Sequence, residues 1–188
     1  MAAVRVAVLA SGSGTILEAI LGDGVPVALV AVDRPCRAID VASAAGIPAE
    51  LVRRDSFGPD FDRLAYTHRL MDALLAARID LVVMAGFGTV LDKPLFDTYG
   101  GRVLNTHPAL LPAFAGWHAV EAALAAGVKV TGCTVHVATA EVDAGPILAQ
   151  EAVPVLPGDT VATLHERIKA VERRLYPATI KAVMAAAP

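Results

Sequence analysis

The sequence has few groups that could cross-link the chain or anchor it in a membrane. Only two of its 188 residues are cysteines, Cys36 and Cys133, and they stand far apart without metal-ligand spacing. Two distant thiols favour a reducing compartment over a disulfide scaffold, so we expect a cytoplasmic protein that holds no metal. Each apolar run is interrupted by Gly, Asp or Arg before it reaches the length of a membrane span. The amino-terminal apolar segment is too short for a secretory leader, and a glycine turn follows it directly.

Charge and aromatic residues are also scarce. Charged residues make up 19% of the chain, aromatic residues 5%, and the formal net charge is only -3. No arginine-rich run or aromatic-interleaved basic patch is present, so we expect neither nucleic acid nor a membrane as a partner. Hydrophobic residues reach 55%. A chain of this length and composition is predicted to form a single domain over residues 1–188 with one substantial core.

Runs rich in β-branched residues alternate with segments of helical period through most of the chain. This alternation predicts an α/β fold, a single open, mostly parallel twisted sheet with helices on both faces. Two late segments with alternating faces predict antiparallel strands at the carboxyl-terminal end. Strands are predicted at 4–10, 25–33, 47–52, 80–86, 102–105, 128–139 and 145–155, and helices at 15–22, 36–46, 60–79, 94–101, 118–127 and 159–184. Two helices are predicted to face inward through Leu64, Thr67, Met71, Leu74 and Leu75, and through Val161, Leu164, Ile168, Val171 and Leu175.

The loop "ASGSGT" joins the first predicted strand to the first helix. Its glycines let the backbone approach an anion, and the helix start offers unpaired N–H groups, so the loop is predicted to bind phosphate. A glycine turn without a ligand is the alternative. Leu17 stands where a dinucleotide-binding motif has its third glycine, which disfavours a dinucleotide although Asp33 lies at a suggestive distance.

The segment "NTHPALLPAFAG" places polar groups at a predicted strand end. Asn105 and His107 are two residues apart, and Pro108 favours an extended backbone before it, so both side chains are expected on one side of the chain. An amide beside an imidazole suits the binding of a carbonyl oxygen and the movement of a proton. For a lone histidine a structural role is the usual alternative.

A carboxylate that could orient this histidine is expected in the turn "EVDAGP". Ala-Gly-Pro after Asp143 would aim its side chain, whereas the competing Glu141 is expected to be solvated. A structural role is predicted for His136, and surface positions on helices for His118 and His165. The sequence has no G-x-S-x-G and no reactive cysteine motif, which argues against a covalent acyl-enzyme.

Six segments in this order resemble the folate-dependent phosphoribosylglycinamide formyltransferase family: "SGSGT", "AGF", "LNTHPALLPAFAG", "GVKVTGCTVH", "VDAGPILAQ" and "LHERIKAVERRLYP". The resemblance covers nearly the whole chain and implies a Rossmann-like formyltransferase fold. It implies transfer of a formyl group from 10-formyltetrahydrofolate to the amine of 5-phosphoribosylglycinamide, a step of de novo purine biosynthesis, by direct attack through a tetrahedral intermediate. Small-molecule substrates and a monomer or homodimer are expected.

The resemblance also implies roles for individual residues. Asn105, His107 and Asp143 match the catalytic trio. The substrate phosphate and ribose would lie on Ser11, Gly12, Ser13, Gly14, Thr15, Lys169 and Glu172, and the folate on Arg63, Phe87, Gly88, Thr89, Val90, Leu91 and Asn105. Two departures stand out, since Ile16 replaces an asparagine common in the family and Gly88-Thr89 replaces Met-Arg.

Three alternatives remain open from the sequence. Related enzymes hydrolyse 10-formyltetrahydrofolate, and those deformylases carry an additional amino-terminal domain. A formyltransferase acting on another amine would have the same catalytic trio. A nucleotide-binding module that lost catalysis would account for Ile16 and Gly88, but not for Asn105, His107 and Asp143 together.

Overall fold

The structure is a computed structural model that describes residues 4–186. Its contacts group the chain into two compact units, Met1–Leu104 and Asn105–Pro188. The single domain over 1–188 stays a prediction.

The first unit is built around strand β1, whose five residues are all buried. Strand β1 pairs in parallel with β2 on one side and β4 on the other, and β2 pairs in parallel with β3. Because β1 is covered on both faces, its sequence VAVLA is continuously apolar and does not alternate. The elements are β1 Val6–Ala10, α1 Thr15–Gly22, β2 Val27–Val32, α2 Ala38–Ala44, β3 Ala49–Leu51, α3 Arg63–Ala76, β4 Leu81–Met84 and α4 Lys93–Tyr99.

The second unit combines an antiparallel hairpin with a long helix. Strands β6 and β7 pair antiparallel, with a register shift between Val135 and His136. Helix α6 packs Leu164 and Ile168 against a small core that includes Cys133 and Val153. The elements are β5 Val103–His107, which begins in the first unit, α5 Ala119–Ala125, β6 Val130–Val137, β7 Ile147–Pro154 and α6 Val161–Ala186.

Hydrogen bonding orders the seven strands β3-β2-β1-β4-β5-β6-β7. The predicted fold class is confirmed, including the antiparallel strands late in the chain. In the part of the chain that the structure describes, no helix is both long and apolar enough to cross a membrane.

The buried faces of two helices were only partly predicted. Helix α3 begins at Arg63, three residues later than expected, with Asp62 as its N-cap. Thr67 and Leu74 are buried as predicted, but Leu64 is 46% and Leu75 53% exposed. Tyr66 and Leu70 occupy the core instead. Apolar residues lie on two sides of this helix, so their spacing does not show which side packs against the sheet.

Helix α6 follows its predicted face more closely. Leu164 and Ile168 are buried, and Val171 and Leu175 pack against the same core while staying partly exposed. The prediction was wrong for Val161, which is 37% exposed at the first turn of the helix.

Candidate active site

Strand β5 ends in two polar side chains that point the same way. Asn105 is half-buried and His107 is only 5% exposed. They are two residues apart on a strand, so both project from the same face. The predicted juxtaposition of an amide and an imidazole is therefore present at the start of the second unit.

Both ring nitrogens of His107 face an oxygen acceptor. Nε2 lies 2.8 Å from the carbonyl oxygen of Phe114, and Nδ1 lies 3.3 Å from Oδ2 of Asp143. A carbonyl oxygen can only accept a hydrogen bond, so Nε2 carries a proton. The two contacts hold the imidazole of His107 between the carbonyl group of Phe114 and the carboxylate of Asp143.

Asp143 is held firmly in the turn between β6 and β7. Its backbone is left-handed, with φ of 55°, and the backbone N–H of Gly116 donates to its Oδ2 at 2.8 Å. A Cβ at Gly145 would overlap the carbonyl oxygen of Val137, so the turn requires glycine there. Glu141, the competing carboxylate, is exposed as expected.

His136 joins the cluster, although the sequence suggested only a structural role for it. Its Nδ1–H donates to the carbonyl oxygen of Val137 at 3.0 Å, which leaves Nε2 as an acceptor for the side-chain amide of Asn105 at 3.2 Å. Its Nε2 also lies 3.6 Å from Asp143. Burial lowers the pKa of His136, in keeping with the neutral ring that this arrangement needs. The one sequence signal was its position at the end of a strand that leads into the Asp143 turn.

The glycine loop of residues 11–15 lies in the first unit, between β1 and α1. Gly14 caps α1 with φ of 72°, and a Cβ there would lie 3.1 Å from the Cα of Ala38. Gly12 and Ser13 are exposed, and the side chains of Ser13 and Thr15 lie 3.5 Å apart. The start of α1 and these hydroxyls can hold an anion. Arg37 lies beside the loop and donates to the carbonyl oxygen of Ser13 at 2.6 Å, while its charge is paired with Glu18 at 2.5 Å.

The second predicted loop, residues 87–91, follows β4 and meets the glycine loop. The backbone N–H of Ser11 donates to Gly86 at 3.2 Å, and that of Gly88 donates to the Ser11 hydroxyl at 2.7 Å. The side chains of Thr89 and Leu91 are buried, 1% and 3% exposed. They are therefore closed to a ligand, whereas Phe87 and Val90 keep part of their surface open and Arg63 is exposed.

Asp33, at the end of β2, is fully buried. Arg34 donates to both of its carboxylate oxygens at 3.0 Å, and the Thr89 hydroxyl donates at 2.8 Å. Burial would raise the pKa of Asp33, but the hydrogen bonds from Arg34, Thr89 and Ser11 hold it below the usual value. The carboxylate is thus not open to the ribose of a dinucleotide.

Lys169 and Glu172 lie one turn apart on α6. Both are half-buried. Burial of the carboxyl group raises the pKa of Glu172 to about 7, against the opposing effects of Lys169 and Thr106. The hydroxyl of Thr106, which acts against this rise of the Glu172 pKa, has a second neighbour in the thiol of Cys133 at 3.3 Å. Glu172 therefore keeps its proton to a higher pH than an ordinary glutamate does.

The thiol of Cys133 is poorly suited to nucleophilic attack. Burial raises the pKa of Cys133 to about 12, so its thiol stays protonated and is a weak nucleophile. Cys36 and Cys133 are both free. Among the described residues, no three His, Cys, Asp or Glu side chains are grouped so as to hold a metal ion.

The comparisons with known proteins define the class. The formyl transferase family matches residues 4–180, so the chain belongs to the formyl transferase family. Phosphoribosylglycinamide formyltransferase of Mycobacterium tuberculosis is 49% identical over 187 residues, which cover 97% of this chain and 86% of that protein.

Solved structures show the same fold. Glycinamide ribonucleotide transformylase 1 of Symbiobacterium toebii superposes with a TM-score of 0.91 at 43% identity, covering 97% of this chain and 88% of that one. A formyltetrahydrofolate deformylase of Pseudomonas syringae reaches a TM-score of 0.89 at 25% identity, and the match covers 98% of this chain but only 62% of the deformylase.

Proposed function

We propose that this protein transfers the formyl group of 10-formyltetrahydrofolate to the amino group of 5-phosphoribosylglycinamide. The name of its relative in Mycobacterium tuberculosis gives phosphoribosylglycinamide as the acceptor of the formyl group. The cluster of Asn105, His107, His136 and Asp143 carries the proposal, because it combines an amide donor, a cationic ring and a buried carboxylate. Such groups stabilise an oxyanion and move protons, which is what direct formyl transfer requires.

Asn105 supplies the hydrogen bond to the reacting oxygen. Its side-chain amide has two N–H groups, and only one is directed at His136. Nε2 of the neutral His136 ring can only accept a hydrogen bond, so the NH2 end of the Asn105 amide faces it. The second N–H is then free for the formyl oxygen, where negative charge develops as the amine attacks.

His107 contributes charge. Both of its nitrogens already have partners in the protein, so the cationic ring acts on the oxyanion as a nearby positive charge. As the new C–N bond forms, the electrons of the formyl C=O move onto oxygen. The new ammonium group gives up a proton towards Asp143, directly or through a water. That proton passes to the departing folate nitrogen when the intermediate collapses, as the bond between this nitrogen and the formyl carbon breaks and the C=O bond forms again.

In the first unit, residues 12–15 at the start of α1 are proposed to bind the phosphate, and the exposure of Gly12 and Ser13 supports this. In the second unit, Lys169 is proposed to contact the phosphate and Glu172 the ribose hydroxyls. The hydroxyl of Ser11 already accepts a hydrogen bond from the backbone N–H of Gly88. The folate is proposed to contact Arg63, Phe87, Val90 and the backbone of Gly88. The free thiols fit the cytoplasm as the place of action.

One assay separates this function from its rivals. Purified protein is given 10-formyltetrahydrofolate with and without the glycinamide ribonucleotide, and both formylated product and formate are measured. We expect product only with the amine. Release of formate without the amine would identify a deformylase. If neither formylated product nor formate were formed, the protein would be identified as a binding module.

The phosphate contact has its own test. Lys169→Ala should raise the KM for the ribonucleotide while hardly changing use of the phosphate-free nucleoside, because remote contacts serve to position the amine. Lys129→Ala, at an exposed lysine before β6, is the matched control. Efficient transfer to the phosphate-free amine would mean that the glycine loop is only a turn and the acceptor a different amine.

A further inference from the structure

The buried carboxylate of Asp33 holds the loop that follows β4, and that loop is hydrogen-bonded to the loop that follows β1. Thr89 belongs to the loop after β4, and its hydroxyl donates to Oδ2 of Asp33 at 2.8 Å. Ser11 belongs to the loop after β1, and its hydroxyl accepts from the backbone N–H of Gly88 at 2.7 Å. The backbone N–H of Ser11 in turn donates to the carbonyl oxygen of Gly86 at 3.2 Å.

Arg34 completes this arrangement from outside. It donates to Oδ1 through Nε and to Oδ2 through Nη2, both at 3.0 Å, and its side chain remains 39% exposed. The guanidinium keeps the carboxylate charged and does not release a proton at accessible pH. A buried carboxylate with this many donors cannot shift without leaving several of them unpaired, which makes it a rigid anchor.

We propose that Asp33 is a positioning residue that clamps the loop of residues 86–91 through Thr89 and so keeps Gly86 and Gly88 bonded to Ser11 of the glycine loop, residues 11–15. Disturbing one loop then changes ligand binding at the other. This rests on the proposed function, which assigns the first loop to the phosphate substrate and the second to the folate. It also gives Thr89 a role different from that of a folate contact. The hydroxyl of Thr89 is the part of the second loop that the clamp holds.

The test uses the cross-effect between the loops. Thr89→Val removes a donor in the second loop and is expected to raise the KM for the ribonucleotide, bound at the first loop, about tenfold, as expected for one lost hydrogen bond to a charged group. Ser11→Ala should in turn raise the KM for the folate by a similar factor. In both variants kcat should change less than about threefold, since the catalytic cluster is not touched.

Two further variants separate a clamp from general support of the fold. Thr89→Ser keeps the hydroxyl and should restore both KM values. Thr131→Val makes the same chemical change at a buried threonine whose hydroxyl has no hydrogen-bond partner among the described residues, and should leave both KM values unchanged. The clamp would be overturned if each substitution changed the KM only for the ligand bound at its own loop, or if it changed neither KM.

Amide hydrogen exchange tests the clamp without any enzymatic assay, so its failure is distinct from failure of the proposed function. In Thr89→Val, exchange should become faster at residues 11–14 as well as at residues 86–90. Thr131→Val should change neither segment. Faster exchange restricted to residues 86–90 would show that the loops move independently and would refute the proposal even if formyl transfer were demonstrated.

Discussion

Asp33 in the first unit and Asp143 in the second have little exposed side chain, 0% and 7%, and their partners differ. Asp33 is paired with a guanidinium and with the hydroxyl of Thr89. Asp143 in the second unit faces two imidazoles and one backbone N–H. A guanidinium keeps its protons under all ordinary conditions, whereas an imidazole exchanges them near neutral pH.

This difference separates a fixed charge from a group that can take part in proton transfer. Around Asp33 every donor is permanent, so the carboxylate can only hold neighbouring segments in place. Around Asp143 the imidazole protons are exchangeable, so charge can be redistributed as a substrate reacts. Burial of a carboxylate is thus not by itself a sign of catalysis, and the chemistry of its partners decides the role.

The largest effect is expected on kcat when Asp143 or His107 is substituted. Asp143→Asn or His107→Ala should lower kcat by roughly 10²- to 10⁴-fold, the range for acid–base and oxyanion groups. Steady-state formyl transfer measures this, with His118→Ala as control because the His118 side chain is 80% exposed. Near-normal turnover of His107→Ala would contradict the catalytic assignment.

At Asp33, which is paired with the guanidinium of Arg34, the main effect of a substitution should be on stability. Asp33→Asn leaves Arg34 without its partner and turns an amide N–H towards the hydroxyl donors, so we expect the free energy of unfolding to fall by about 2–4 kcal/mol. Urea denaturation measures it. Asp143→Asn should cost only about 1 kcal/mol. If the two variants were equally destabilising, the distinction between the carboxylates would be lost.

Glu172 is a third carboxylate, and the cations that act against its raised pKa are Lys169 and Arg173. Its pKa is raised to about 7 by burial, so the folded state holds its proton more tightly than the unfolded state. The contribution of Glu172 to the free energy of unfolding is therefore fully present below about pH 4.5, and it is lost as the pH rises through about 7. Glu172→Gln should remove this loss. Urea unfolding at several pH values tests it, and parallel pH profiles for both proteins would refute it.

The smallest effect is expected at His136. Its pKa is lowered from 6.5, mainly by burial, so its contribution to stability is present above pH 6.5 and is lost as the pH falls towards the folded value. Glutamine can donate to Val137 and accept from Asn105 in its place. His136→Gln should keep kcat within about tenfold. Its stability, measured by thermal unfolding, should fall less than that of the original protein when the pH is made mildly acidic. An unchanged acid dependence would argue against a neutral buried ring.

The sequence allowed the order of strands and helices to be predicted because hydrophobic periodicity and glycine turns are local signals. Asn105 and His107 could be paired because two residues on one strand share a face. The turn at Asp143 was likewise readable from Asp-Ala-Gly-Pro. The face of α3 could not be predicted, since its apolar residues fit two sides and only packing selects Tyr66 and Leu70.

What the sequence determined by itself was therefore the α/β fold, the family resemblance and the candidate trio, all of which depend on short-range pattern or on whole motifs. Tertiary structure alone decided that His136 contacts Asn105, that Thr89 turns its hydroxyl towards Asp33 and that the Ser11 hydroxyl bonds to Gly88. These contacts join residues far apart in the chain, and Thr89 lies 56 positions from Asp33. Partners of a buried polar group are chosen by whichever strands the fold makes neighbours, and no local spacing encodes that choice.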